Sequence, residues 1–219
     1  MDALTDFAIL RDVRAFLFDL DGTLIDSIPA VDRAWSLWAE RVGLAAGDVL
    51  PHIHGRRSFD SIRALAPHLD AHEEDAWLRA LEATDTTGVT ALPGAREFIL
   101  GLPPDRYTYV TSATRDVATA RLTAVGLPIP SNAVYGDDVT SGKPDPEPYR
   151  SGAARLGFAP SECLAFEDTL AGVRSAADAG CQVIRIGDPT ELAILAVRGV
   201  HELRVERRAD GTFTVASAN

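Results

Sequence analysis

The chain has 219 residues, 46% hydrophobic and 24% charged, the composition of a globular protein with room for one large or two modest domains. A formal net charge of −11 with no run of Lys and Arg disfavours a nucleic-acid surface, which needs a basic face. An anionic ligand would have to be held by a few local cations, a metal or backbone N–H groups. No segment approaches the ~18 apolar residues of a membrane span, and residues 1–14 hold no apolar stretch of signal-peptide length. Cys163 and Cys181 lie in no CxxC motif and read as buried small hydrophobes in a reducing compartment. The expectation is a cytoplasmic monomer that touches neither membrane nor nucleic acid.

The first predicted element is Ala15-Phe16-Leu17-Phe18, an apolar run bounded by charge, which suits a parallel strand buried on both faces. From about residue 28 to 91 the pattern turns helical. Ala34, Trp35, Leu37, Trp38 and Val42 follow the 3.6-residue period, as do Ile62, Leu65, Ala66 and Leu69, and then Ala76, Trp77, Ala80 and Leu81. The three tryptophans read as the core of this insert. Strands are predicted at residues 107–111, 133–135, 163–166 and 182–186, and helices at 116–125, 147–156 and 170–179. Gly126, Gly157 and Gly180 are placed to stop those helices. Strand and helix alternating at this spacing give a doubly wound α/β sheet. Residues 202–215 read as a terminal hairpin turning at Asp210-Gly211.

The chemistry centres on Asp19-Leu20-Asp21-Gly22-Thr23, directly after the first strand. Asp-Gly alone could mark only a turn. A calcium loop does not fit, since it wants glycine sixth and an acid twelfth, whereas here the glycine is fourth and the twelfth residue is Ala30. Three more polar groups stand at carboxyl ends of predicted strands or beside them: Thr111-Ser112, Lys143-Pro144 and Glu167-Asp168. Ligands of open parallel sheets bind at those ends. Asp19 and Asp168 could hold a hard cation such as Mg²⁺, and Lys143 could offset repulsion between a phosphate and an anionic nucleophile. Ser112 and backbone N–H groups after Asp19 could bind phosphoryl oxygens. Asp19 and Asp21, two apart, could face one reacting centre. Taken singly, Ser112 and Glu167-Asp168 could be helix caps, and Lys143 a solvated loop residue. Its Gly-Lys context is not a phosphate-binding P-loop, because five residues rather than four separate Gly136 from Gly142 and Pro144 follows the lysine.

These four motifs, in this order, resemble those of the haloacid dehalogenase superfamily. One branch, the bacterial sugar phosphatases that include 2-deoxyglucose-6-phosphatases, is similar over nearly the whole chain. That similarity rests on Ala30-Val31-Asp32-Arg33-Ala34-Trp35, His52-Ile53-His54-Gly55-Arg56 and Gly88-Val89-Thr90-Ala91-Leu92-Pro93-Gly94-Ala95. The resemblance implies a Rossmann-like core (residues 1–27 and 92–219) with a small all-helical cap (28–91) inserted after the first strand. It implies Asp19 as nucleophile and metal ligand, and Asp21 as general acid/base that also offers its main-chain carbonyl to Mg²⁺. Asp168 would be a further ligand with Glu167 beside it. Ser112 and Lys143 would bind the transferring phosphoryl group, with the backbone of Leu20 and Ala113 in support. Ala113 stands where relatives often carry glycine, and it keeps the N–H donor.

The reaction so implied is hydrolysis of a small phosphorylated sugar or polyol through an aspartyl-phosphate on Asp19. The cap loop would read the sugar, with His54, Arg56 and Arg57 as candidates. Two rivals share the motifs. A sugar-phosphate mutase would carry a histidine where Val31 stands, and a non-catalytic binding module would not need Asp19, Asp21 and Lys143. The dehalogenases proper lack an acid at the position of Asp21.

Overall fold

The run at residues 15–18 is the middle of the molecule in the computed structural model, which describes residues 8–218. The first strand, β1 (Ala8–Val13), leads into β2 (Ala15–Phe18), and every residue of β2 is buried. A short strand, β3 (Ile25–Asp26), then opens the helical segment: α1 (Ile28–Val42), α2 (Ala46–Val49), α3 (Ser58–Leu65) and α4 (Ala71–Thr84). The return strand β4 (Thr90–Ala91) pairs antiparallel with β3, so entry and exit of the segment lie side by side. Then follow α5 (Ala95–Leu100), β5 (Tyr107–Tyr109), α6 (Arg115–Val125), α7 (Glu147–Leu156), β6 (Cys163–Glu167), α8 (Leu170–Ala179), β7 (Gln182–Ile186) and β8 (Leu195–Val197). The chain closes with β9 (Leu203–Arg207) and β10 (Phe213–Ser217). No helix among the described residues is long and apolar enough to cross a membrane.

Five strands form the parallel sheet in the order β5-β2-β6-β7-β8. Because side chains alternate across a strand, β2 divides its residues between two cores. Phe16 and Phe18 point to one face, where they meet Phe166, Phe98 and Phe213. Ala15 and Leu17 face the other, a flatter surface with Ala165 and Val183 on which Tyr149 and Ala153 of α7 and Val173 of α8 pack. From β2 the chain runs to β5 on one side and then crosses to β6 on the other. That reversal makes the carboxyl end of β2 the switch point, where a crevice opens in such sheets.

The predicted strand at 133–135 is reduced to one bridge, Val110 to Val134. Pro128 and Pro130 precede it and a 3₁₀ turn starts at Gly136, so only one residue has ladder geometry on both sides. The terminal hairpin is present, β9 pairing with β10 around a turn where Gly211 has φ +83° and the Asp210 carboxylate accepts from the Thr212 N–H at 3.0 Å. Its outer partner, β1, makes a separate three-stranded sheet that the sequence reading did not contain.

Helices α1 to α4 enclose an apolar cluster of their own, built on Trp35, Trp38, Val49, Ile53, Ile62 and Leu78. Trp38 is fully buried, stacks edge-on against Trp35 and donates its indole N–H to Glu74 at 3.0 Å. Truncating a buried tryptophan typically costs about 3–5 kcal/mol. Trp38→Ala should therefore lower the urea midpoint of the helical segment, followed by far-UV circular dichroism. An unshifted midpoint would show that this cluster does not hold the segment together.

Candidate active site

Three adjacent parallel strands end together, and the register of β2 against β5 and β6 sets the site. Phe18 pairs with Tyr109 on one side and Phe166 on the other. Just beyond that level Asp19, Thr111 and Asp168 line the crevice, one from each strand end. The Asp19 N–H donates to the Phe166 carbonyl at 3.0 Å, and the Val110 N–H donates to the Phe18 carbonyl at 2.8 Å. Beyond Asp19 the chain leaves the strand and folds into a tight turn, with the N–H groups of Leu24 and Ile25 both donating to the Leu20 carbonyl at 2.9 Å. Gly22 has φ +89°, and a Cβ there would collide with the Asp168 carboxylate. Both the conformation and the close approach require glycine. Asp19 and Asp21 thus share the cleft because of this turn, and not by strand alternation.

Lys143 comes from the loop before α7 and is almost completely buried. Its Nζ lies 2.6 Å from Asp19 Oδ1 and 2.5 Å from Glu167 Oε1. Glu167 is wholly buried, and Gly172 of α8 leaves the space its carboxylate fills. The Tyr149 hydroxyl donates to Glu167 Oε1 at 2.7 Å, and the Thr169 hydroxyl donates to Oε2 at 3.2 Å. Glu167 is thereby committed to fixing Lys143. Burial alone would lower the Lys143 pKa, but the charges of Asp19 and Glu167 prevail and hold it above its ordinary value. Asp19 is pushed the other way from most carboxylates: burial raises its pKa, Lys143 opposes, and Glu167, Asp168 and Asp21 raise it further.

Asp21 is turned toward the helical segment. Its Oδ1 accepts from the Ser27 hydroxyl at 2.5 Å and from Arg121 Nη1 at 3.0 Å. The other arm of the same guanidinium, Nη2, donates to Glu82 Oε1 of α4 at 2.9 Å. Neither Arg121 nor Glu82 belongs to any of the sequence motifs. A signal was there, because Arg121 falls on the buried face of α6 with Val117, Ala118 and Leu122. A charge on that face has to be paired.

The remaining predicted residues divide. Ser112 and Ala113 line the cleft, but the Ser112 hydroxyl donates across it to the Gly55 carbonyl at 3.0 Å, and the Ala113 N–H is engaged by Thr111 Oγ1 at 3.0 Å. The Leu20 side chain is buried and does not line the cleft. His54 and Arg56 line it, His54 with Nε2 3.3 Å from Asp32 Oδ1 and Arg56 on the exposed rim. Arg57 does not reach it. Its guanidinium is held by Asp60 at 2.7 Å and donates to the Val139 carbonyl at 2.8 Å. The expectation that Arg57 reads a ligand is replaced by a tie between the helical segment and the loop between α6 and α7, where most of its donors are engaged.

Asp19, Glu167 and Asp168 present carboxylate oxygens within 4.8 Å of one another. Three carboxylates share one ammonium, so two negative charges are unbalanced when all are ionised. Asp168 Oδ1 is buried without a hydrogen-bond partner. An all-oxygen donor set lacking two charges fits Mg²⁺, which favours carboxylates and keeps positions for water or phosphate. Asp19 and Asp168 have donor capacity to spare, whereas Glu167 has little.

Residues 13–180 match the family of haloacid dehalogenase-like hydrolases. Among curated proteins, hexitol phosphatase A of Escherichia coli (strain K12) is 42% identical over 215 residues, covering 92% of this chain and 98% of that protein. Glycerol-1-phosphate phosphohydrolase 2 of Saccharomyces cerevisiae is 33% identical over 211 residues, covering 90% and 83%. Among solved structures, a hydrolase from Pseudomonas syringae superposes with a TM-score of 0.69 at 27% identity, covering 83% of this chain and 92% of that one.

The crowded acids make a prediction for the metal-free protein. Burial and the charge of Glu167 push the Asp168 pKa up to about 7 from the ordinary 3.8. As the pH rises from about 4 to about 7, the unfolded chain gives up this proton and the folded chain keeps it, so stability falls with rising pH across that window. Asp168→Asn should remove part of the fall. Thermal melts in excess chelator across the window check this, and parallel curves for the two proteins would refute it.

Proposed function

The chain belongs to the haloacid dehalogenase-like hydrolases, and we propose that within that family it is a Mg²⁺-dependent phosphatase of small phosphorylated sugars or polyols. It hydrolyses phosphoric monoesters, as its named relatives do. The observation that carries the finer reading is the cluster at the switch point, where one buried ammonium touches Asp19 and Glu167 while Asp19 and Asp168 keep carboxylate oxygens for a cation. Hexitol and glycerol phosphates, the esters named for the relatives, are the substrates to try first.

In this reading Asp19 and Asp168 would hold Mg²⁺, with the Asp21 carbonyl as a further donor. The ion, when bound, supplies positive charge against which phosphoryl oxygens are neutralised. Asp19 attacks phosphorus in line, and the bond from phosphorus to the ester oxygen breaks. Asp21 gives that oxygen its proton, so the leaving group departs as an alcohol. Water then attacks the phosphorus of the aspartyl-phosphate and passes its proton to Asp21, and the bond from phosphorus to the Asp19 oxygen breaks, releasing phosphate and the free carboxylate. Ser27 and Arg121 both bind Asp21 Oδ1, which leaves Oδ2 to carry the moving proton. Lys143 holds Asp19 in line, and Tyr149 and Thr169 hold Glu167 behind it. Residues 28–91 act as the cap that covers the leaving group and excludes water, with His54 and Arg56 facing the cleft. Val31 lines the cleft where a mutase would need a titratable side chain, and an isopropyl group moves no proton.

Asp19→Asn should abolish phosphate release while leaving the fold intact. Release above a few per cent of wild type would remove Asp19 as nucleophile. Excess chelator should abolish activity and Mg²⁺ should restore it, with free phosphate and no isomerised sugar phosphate as product. Asp21→Asn should lose roughly 10²–10⁴-fold on alkyl phosphates. An aryl phosphate, whose leaving group needs less protonation, should lose less in single-turnover formation of the acylphosphate. Equal losses would discard the acid role.

A further inference from the structure

Resting on the phosphatase reading, we propose that Glu82 is the residue that receives a hydroxyl of the leaving group, and that it selects neutral, polyhydroxylated esters over esters whose leaving group bears an acid. Glu82 belongs to α4 of the helical segment and lines the same cleft as Asp19 and Asp21. Its side chain is only 10% exposed. One carboxylate oxygen accepts from Arg121, and the other accepts no hydrogen bond among the described residues. That second oxygen is not among the buried unpartnered atoms and so opens to the cleft, where a ligand hydroxyl can donate to it once the site closes and water leaves.

Position says which part of a ligand that is. Arg121 grips Asp21 with one terminal nitrogen and Glu82 with the other. Glu82 therefore stands one guanidinium away from the group that must protonate the ester oxygen. The atoms next to that oxygen are the carbons of the leaving group, where a polyol carries hydroxyls. Arg121 is a positioning residue here: it touches no reacting atom, but it sets the spacing between the proton donor and the hydroxyl acceptor.

The same geometry disfavours an acid at that place. Arg121 is saturated by two carboxylates, and Arg79 is shared by Asp75 and Asp137. Arg56 stands on the exposed rim. A carboxylate next to the ester oxygen would meet Glu82 and Asp21, and that rim arginine is the one cleft-lining guanidinium outside an ion pair among the described residues.

The test uses the full chain and two readouts. Binding of sorbitol 6-phosphate with Mg²⁺ is measured by calorimetry on Asp19→Asn protein, with and without Glu82→Ala. Turnover of sorbitol 6-phosphate, phosphoglycolate and an aryl phosphate is measured for wild type, Glu82→Ala and the isosteric Glu82→Gln, with melting temperatures as a check on folding. The expected result is a tenfold to hundredfold loss of sorbitol 6-phosphate binding and of its kcat/KM in Glu82→Ala, with a clearly smaller loss on the aryl ester. Glu82→Gln should raise phosphoglycolate turnover relative to sorbitol 6-phosphate. Unchanged sorbitol 6-phosphate binding, or equal losses on all three esters, would overturn the proposal. Binding that depends on Glu82 without phosphate release would uphold the hydroxyl contact and sink the phosphatase reading instead.

Discussion

Lys143 holds its ammonium between Asp19 and Glu167 with almost no access to water, and the arrangement of the site follows from how that charge is kept in the interior. Desolvating an ammonium and two carboxylates costs several kcal/mol per ion before any attraction is counted. The fold offsets this with hydrogen bonds around the ions. Tyr149 and Thr169 complete Glu167, Gly172 makes room for it, and the backbone of β2 and β6 fixes the two acids in register. Replacing Lys143 by a neutral residue would leave two buried acids facing each other. The lysine is thus a structural counter-ion, and any part it takes in holding a phosphate cannot be separated from that by a single substitution.

A second set of polar contacts joins the helical segment to the sheet. Ser112 reaches the Gly55 carbonyl, Arg57 reaches the Val139 carbonyl, and Arg121 links Asp21 to Glu82. Only the last involves two acids from opposite sides of the cleft. Surface ion pairs contribute little, but Arg121 is nearly buried, and both partners attract it strongly enough to raise its pKa against the burial that would lower it. Asp21 and α4 are therefore tied to each other through one side chain.

Much of this was readable beforehand. Helices α7 and α8 begin and end where the periodicity and the glycines at 157 and 180 place them, both glycines having positive φ. Asp19, Ser112, Lys143 and Asp168 announced themselves by lying at or near strand ends. What was not readable depends on pairing at a distance. Strand β1 is stabilised by β10 at the other end of the chain, and β8 is three residues long, too short for any pattern. The Arg121 contacts span 100 residues to Asp21 and 39 to Glu82. A lone charge on an apolar helix face shows that a partner exists, but only the docking of two segments names it. Arg57 illustrates the converse: its loop is where the sequence puts a ligand reader, yet a neighbouring carbonyl and Asp60 have taken its donors.

A chain with net charge −11 that handles a phosphate ester has an apparent electrostatic problem. Charges more than about 8 Å apart in solvent are largely screened at physiological ionic strength, so the distribution within the cleft decides. There the two buried cations, Lys143 and Arg121, are each shared by two acids. Neither is free to attract an anion, and the phosphate end of the cleft still lacks two positive charges. A divalent cation at Asp19 and Asp168 would make that end receptive to a phosphoryl group. The other end, walled by Asp21 and Glu82, offers acceptors, and among the described residues its one cleft-lining guanidinium outside an ion pair, Arg56, stands on the exposed rim. A ligand that satisfies both ends is dianionic at one terminus and rich in hydroxyls, with no further acid, at the other. That description fits a polyol phosphate, and it comes from the distribution of paired charges rather than from their sum.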